Sequence, residues 1–249
     1  MLILSIAALC ALAVLLSLGT WQLERKAWKE GLIATLQARL SATPQPLPAA
    51  SSWLSLARAD HEFTRVRLNA TFLPGDTQRE ARVYTSGSAL RDDIKSPGYF
   101  VFAPARLPDG TTVVINRGYV ANPHPTAATP PMPLPPGPID VIGVMRWPER
   151  PDIFNAAYNA TDDLWFVRNS VSMATRSGWG EVAPFYIDME LPVPSGGVPL
   201  PASLRPNLPN QHLQYAVTWY GLALVLVGVF AAFVLGSRRS AGPKSDPET

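Results

Sequence analysis

Three histidines, His61, His124 and His212, and one cysteine, Cys10, are the side chains of this 249-residue chain best suited to hold a metal or attack a substrate. Their spacing excludes most of the chemistry they could do. His61-Glu62 lacks the second histidine four residues on that a zinc-protease helix needs, and three widely separated imidazoles make a poor tridentate zinc site. Cys10 lies alone inside an apolar run, so a disulfide framework and a Cys-x-x-Cys redox or copper site are both excluded. The chain has no glycine-rich phosphate loop and no Gly-x-Ser-x-Gly elbow. Asp92-Asp93 and Asp162-Asp163 flank turn signals, where carboxylates cap and solvate loops. No nucleophile–base pair emerges, and the expectation is a protein that is not an enzyme.

One constellation remains. In NQHLQYAVTWYGLA, Asn210–Ala223, the residues His212, Tyr215, Ala216, Trp219 and Ala223 fall on one face of a helix. The face offers an imidazole, two aromatic rings and then small residues at the start of a long apolar run. Two readings stay open. In the structural one, Tyr215 and Trp219 form an interfacial belt and His212 hydrogen-bonds near the helix start. In the chemical one, a neutral imidazole is an axial ligand for haem iron, with flat aromatic walls and room for a porphyrin.

That face must be positioned by the elements around it. Two uncharged apolar runs, Leu2–Leu23 and Leu213–Leu235, bracket the chain, and each exceeds the roughly 20 residues needed to cross a bilayer core. The expected organisation is a first transmembrane helix at 2–23, a β-rich domain at 24–210, a second transmembrane helix at 213–235 and a tail at 236–249. Both spans should lie side by side and antiparallel, packed through Ala7/Ala11 and Ala13/Ser17 on one and Gly228/Ala232/Gly236 on the other. Sidedness is contested within the sequence: Arg238, Arg239 and Lys244 favour cytoplasmic termini, whereas Arg25, Lys26 and Lys29 follow the first span directly. The expectation is two cytoplasmic termini and a periplasmic domain, in a bacterial inner membrane because no Arg-rich, Ser-rich leader precedes the first span. A formal net charge of +2, from 21 basic and 19 acidic residues, leaves no polybasic tract for nucleic acid.

Between the spans the hydrophobic period changes. WQLERKAWKEGLIATLQARL, Trp21–Leu40, continues the first helix until TPQPLP stops it, with Trp21 and Trp28 suited to an interfacial belt. Phe63–Phe72, Ala81–Thr85, Tyr99–Ala103, Thr111–Val120, Ile139–Trp147 and Val182–Leu191 then read as strands split by PGD, SPG, PDG and PPGP turns. Pro123–Pro138 is too rich in proline for a sheet interior and is expected to be an extended surface loop. Asn169 followed by SVSMATRSG reads as an N-cap, a short helix and a glycine stop. The fold class is therefore an α+β membrane protein: two antiparallel transmembrane helices and one antiparallel β-sheet or small barrel with short helices.

Five blocks, GTWQLERKAWKEGLI (Gly19–Ile33), VVINRGYV (Val113–Val120), VIGVMRWPERPDIF (Val141–Phe154), LWFVRN (Leu164–Asn169) and NQHLQYAVTWYGLA, resemble in order the motifs of the Surfeit locus protein 1 family of cytochrome c oxidase assembly factors. The resemblance covers nearly the whole chain. It implies an inner-membrane protein that assists insertion of haem a into the catalytic oxidase subunit, with that subunit and haem a synthase as partners. The family's proposed haem ligand, the histidine opening the second span, matches His212, with Tyr215, Trp219 and Trp21 as aromatic neighbours. Asn169 stands where family members often carry an acid, and Gln211 replaces a common asparagine. In NRGYV, Arg117 before Gly118 could aim a planar donor fork at a carboxylate, either a haem propionate or an internal acid. The alternative to haem handling is a scaffold that stabilises the nascent oxidase subunit without haem of its own.

Overall fold

The computed structural model describes residues 2–73, 80–88, 90–126, 128–151, 157–205 and 208–240, the side chains of 238–240 excepted. The expected turn at Pro74–Asp76, the end of the Val141–Phe154 block from residue 152 on, and the side chains of Arg238, Arg239 and Lys244 lie outside them. The chain divides into two compact units: Met1–Ala34 with Leu208–Thr249, and Thr35–Asn207.

The first unit is a pair of helices, α1 (Leu2–Ser41, whose last residues belong to the second unit) and α4 (His212–Ser240). Both are long and apolar enough to cross a membrane. They run antiparallel, because Lys29, Gln22 and Thr20 on α1 meet Pro209, His212 and Tyr220 in reverse order along the chain. Among the less exposed residues of α1 in this unit, Ser5, Ala8, Leu12, Leu15, Gly19, Gln22, Lys26 and Lys29 recur at spacings of three and four, with Leu18 and Ile33 also half-buried. That is the heptad spacing of a left-handed seam. On α4 the matching line runs through His212, Ala216, Trp219, Ala223, Leu226 and Phe230, with Ala216 and Ala223 buried.

The small-residue stripe expected on α4 is not where the helices meet. A Cβ added at Gly228 or Gly236 would find nothing within 4 Å, whereas one at Gly19 would lie 2.9 Å from the Tyr220 ring. Close approach occurs at Gly19, where the missing side chain lets a phenol lie against the α1 backbone. At Gly228, Ala232 and Gly236 small residues permit close approach without producing it.

The second unit is built on nine strands in the order β1-β2-β6-β9-β5-β4-β3-β8-β7, with a further β2–β4 pairing. That pairing closes β2 (Arg65–Phe72), β6 (Pro138–Arg146), β9 (Tyr186–Leu191), β5 (Thr112–Val120) and β4 (Gly98–Arg106) into a five-stranded barrel. β4 reaches both neighbours by dividing its length: Gly98–Phe102 pair with β3 (Ala81–Thr85), and Ala105 and Arg106 pair with Phe72 and Thr71 of β2. The expected strands are all present within a few residues of their expected ends. Not every pairing is antiparallel, however. β5 and β9 run parallel, as do β1 (Gln45–Pro46) with β2 and β8 (Leu164–Trp165) with β3, while β7 (Tyr158–Asn159) pairs antiparallel with β8. Three strands and a helix intervene between β5 and β9, the long crossover that a parallel seam requires.

Burial explains the two kinds of strand pattern. β2 alternates buried and exposed residues, as a strand with one wet face does. β4 and β5 are buried almost throughout, because they separate two cores. Ala103, Ala105, Val113 and Ile115 join Val66, Leu68, Phe72, Val141, Met145, Phe185 and Ile187, with Trp53 from a 3₁₀ turn edge-on to Phe185 at 5.4 Å. Phe100, Phe102 and Val114 instead face Val83, Trp165, Met173, Trp179 and Tyr186. Met173 comes from α3 (Ser170–Ser177), which begins on the Asn169 side chain accepting from Ser172 N at 3.0 Å and ends at Gly178 with φ 69°. A second short helix, α2 (Arg58–His61), precedes β2 and takes two Arg39 hydrogen bonds near its end, to Ala59 O and Glu62 O at 2.9 Å. The buried acids of β9 are paired: Asp188 takes Asn116 at 2.7 Å and Arg146 at 3.2 Å, and Glu190 takes Arg65 at 2.7 Å.

Candidate functional site

His212 opens α4, and its Nδ1 lies 2.7 Å from Oε1 of Gln22 on α1. A carbonyl oxygen only accepts, so Nδ1 carries the proton and donates it. Nε2, the opposite nitrogen, has no hydrogen-bond partner among the described residues, and in the Nδ1-protonated tautomer it carries the ring's lone pair. Two further polar contacts hold the same seam. The Lys29 ammonium donates to the Pro209 carbonyl, and the Thr20 and Tyr220 hydroxyls lie 3.0 Å apart. These cross-helix contacts fix the register in which His212 meets Gln22.

The aromatic candidates surround this point unequally. Trp219 follows His212 on the seam line and is half-buried. Tyr215 and Trp21 are 52% and 53% exposed and turn outward from α4 and α1. Trp28, also outward, carries the Arg25 guanidinium 4.0 Å above its ring, and Lys26 is paired with Glu30 at 2.8 Å. Arg25 and Lys26 are thus engaged locally, and Lys29 across the seam. Neither tyrosine nor tryptophan is needed to close the helix pair at Tyr215, Trp21 and Trp28, which leaves flat apolar rings available to lipid or to a planar ligand.

Ligand chemistry narrows what His212 could hold. Among the described residues no three His, Cys, Asp or Glu side chains gather for a metal ion. A bare zinc or copper ion asks for three or four protein donors, which one imidazole cannot supply. Haem brings four equatorial nitrogens of its own and asks the protein for one axial ligand, so the donor set present fits an iron porphyrin better than a free ion. His61 ends α2 and His124 lies in the proline-rich stretch, and neither joins a ligand group.

Arg117 lies within β5. Its side chain is 2% exposed, its fork donates to the carbonyls of Met132, at 3.2 Å, and Pro133, and its guanidinium lies 5.4 Å from the Phe72 ring centre. Among the described residues no carboxylate forms an ion pair with it. The strand does bulge as the glycine suggested: Val101 pairs with Gly118 and Phe102 with Asn116, so Arg117 is the extra residue, turned toward the loop. Burial pulls the Arg117 pKa down, opposed by the charge of Glu80. The proline-rich stretch is irregular as expected, but it is strapped down. Arg82 donates to Thr126 O at 3.0 Å and Thr129 O at 2.6 Å, and Glu80 accepts from Met132 N at 2.9 Å. The paired acids serve local structure: Asp93 holds Arg91 by two bonds of 2.7 and 2.6 Å, Asp162 accepts from Asn159, and Asp163 accepts from Tyr158 at 2.6 Å.

The residue missed from sequence is Gln22. Its signal was present, because Ser5, Ala8, Leu12, Leu15, Gly19 and Gln22 share one heptad line, and a glutamine on such a line in an apolar helix needs a partner.

Fold and site together define a class: a protein with two membrane-length helices, one at each end, a closed five-stranded barrel domain between them in sequence, and one oriented histidine on the helix pair. The model of the SURF1 family matches residues 9–224, and the chain belongs to that family. It is 34% identical over 218 residues to Surfeit locus protein 1 of Homo sapiens, covering 83% of this chain and 69% of the human one. The Rattus norvegicus protein of the same name is 33% identical over 222 residues, covering 84% and 69%. A SURF1-like protein of Monosiga brevicollis is 32% identical over 246 residues, covering 93% and 86%.

Proposed function

We propose that this protein assists assembly of cytochrome c oxidase by brief custody of haem a, with His212 Nε2 as the axial ligand. The observation that supports this is the His212–Gln22 contact, which engages Nδ1 and leaves Nε2 without a protein partner among the described residues. Haem, when bound, supplies an iron whose fifth coordination position is open to a nitrogen donor. His212 would supply that nitrogen donor, and Trp219, Tyr215 and Trp21 would offer flat apolar contact to the macrocycle. Custody that ends in transfer calls for weaker binding than the final oxidase site provides. The partners on this reading are the membrane enzyme that makes haem a and the catalytic oxidase subunit that receives it. The proposed setting is a bacterial inner membrane with both termini cytoplasmic and the barrel domain periplasmic.

The test is the visible spectrum of the full-length protein purified from cells that synthesise haem a. A haem a spectrum in substoichiometric but reproducible amount is expected. A haem-free protein that still restores oxidase yield would instead assign it the role of a scaffold for the nascent subunit.

A further inference from the structure

We propose that Gln22 is a positioning residue for the His212 ligand, an assignment that rests on the haem reading above. An imidazole ring has two neutral tautomers, and only the one with its proton on Nδ1 leaves Nε2 free to coordinate. The Gln22 carbonyl oxygen selects that tautomer by accepting from Nδ1 at 2.7 Å across the helix seam. A single hydrogen bond of ordinary net strength shifts such an equilibrium about five-fold. It also fixes the ring plane, so that Nε2 is directed away from Gln22. Metal-ligating histidines in general have the other nitrogen anchored in this way, by a carboxylate, a carbonyl or water.

The placement of Gln22 supports the assignment independently of its contact. It falls on the heptad line of α1, between Gly19, whose lack of a side chain admits the Tyr220 ring, and Lys26. The Lys29–Pro209 and Thr20–Tyr220 contacts already tie the two helices together on either side. A third rung is not required for register, whereas an orienting acceptor is required for a ligand.

Full-length protein carrying ¹⁵N-histidine tests this, with His212→Ala used to assign the His212 signals. In wild type without haem, at a pH where the ring is neutral, the His212 signals should show a protonated Nδ1 and a bare Nε2. Gln22→Leu should move the ring toward the Nε2-protonated tautomer and weaken binding of added haem about five-fold. Gln22→Glu, which can only accept, should keep the Nδ1 proton and lower the midpoint potential of the bound iron, because a carboxylate makes the imidazole a stronger donor. A protonated Nε2 in wild type, or an unchanged tautomer in Gln22→Leu, overturns the Gln22 assignment while leaving the haem reading standing. Failure of wild type and His212→Ala to differ in haem binding overturns the haem reading, and the Gln22 role with it.

Discussion

Gly118 sits where the bulge of β5 brings two backbone segments together, and its replacement by alanine should destabilise the barrel domain sharply. Its φ is 130°, a conformation side chains avoid, and an added Cβ would lie 2.4 Å from the Leu200 carbonyl carbon. Backbone atoms cannot swing aside as a side-chain tip can. Residue 200 would have to retreat, and its two hydrogen bonds with Tyr119, of 3.0 and 2.8 Å, would be lost with it. Backbone strain of about 1–3 kcal/mol and two bonds of about 1 kcal/mol each sum to about 3–5 kcal/mol. For a domain of this size that lowers Tm by about 10 °C. The assay is near-UV circular dichroism during heating of detergent-solubilised protein. Gly110→Ala is the control: φ there is 85° and nothing lies within 4 Å of the new Cβ, so strain alone should appear. Equal losses in the two variants would refute the steric argument at Leu200.

Arg117→Lys keeps the charge but cannot fork between two carbonyls, and should cost about 2–3 kcal/mol of stability while leaving any haem spectrum unchanged; an altered spectrum would assign Arg117 a haem contact. Asn169→Ala should lose about 1 kcal/mol through the missing cap on α3, and Asn169→Asp should retain it, both read from chemical denaturation. The Arg91 hydrogen bonds hold the Asp93 carboxyl below its usual pKa. Its folded value lies below its unfolded one, so its contribution is present above the unfolded carboxylate value of about 3.9 and is lost as pH falls through the folded value. Asp93→Asn should flatten that acid limb, and an unchanged pH profile of unfolding would remove the pair from the account.

The sequence displayed local features well. Alternation located the strands because one face of β2 stays wet, and Asn169 and Gly178 marked the ends of α3 because caps are local chemistry. The histidine at the start of α4 was legible because it stands alone at the head of an apolar run. Pairing direction was not legible. Nothing within Thr112–Val120 or Tyr186–Leu191 says that they lie parallel, since that follows from the crossover between them. Two-residue strands such as Gln45–Pro46 carry no period to detect. The same limit explains the helix seam. Glycine at 228 and 236 shows which faces could approach, but Gly19 against Tyr220 shows which do, and that choice depends on the partner helix. Arg117 was read from the donors it possesses, while its acceptors come from Met132 and Pro133, in a loop whose path a local pattern does not reveal.

Haem content of wild type compared with His212→Ala, both purified full-length from cells making haem a, tests the central claim most directly. Because His212 is half-buried and its Gln22 contact is one of several across the seam, the variant should fold and insert normally. The account predicts a haem a spectrum in wild type, its loss or a marked shift in His212→Ala, and a parallel fall in active oxidase. The same spectrum and the same haem-to-protein ratio in both proteins would contradict it.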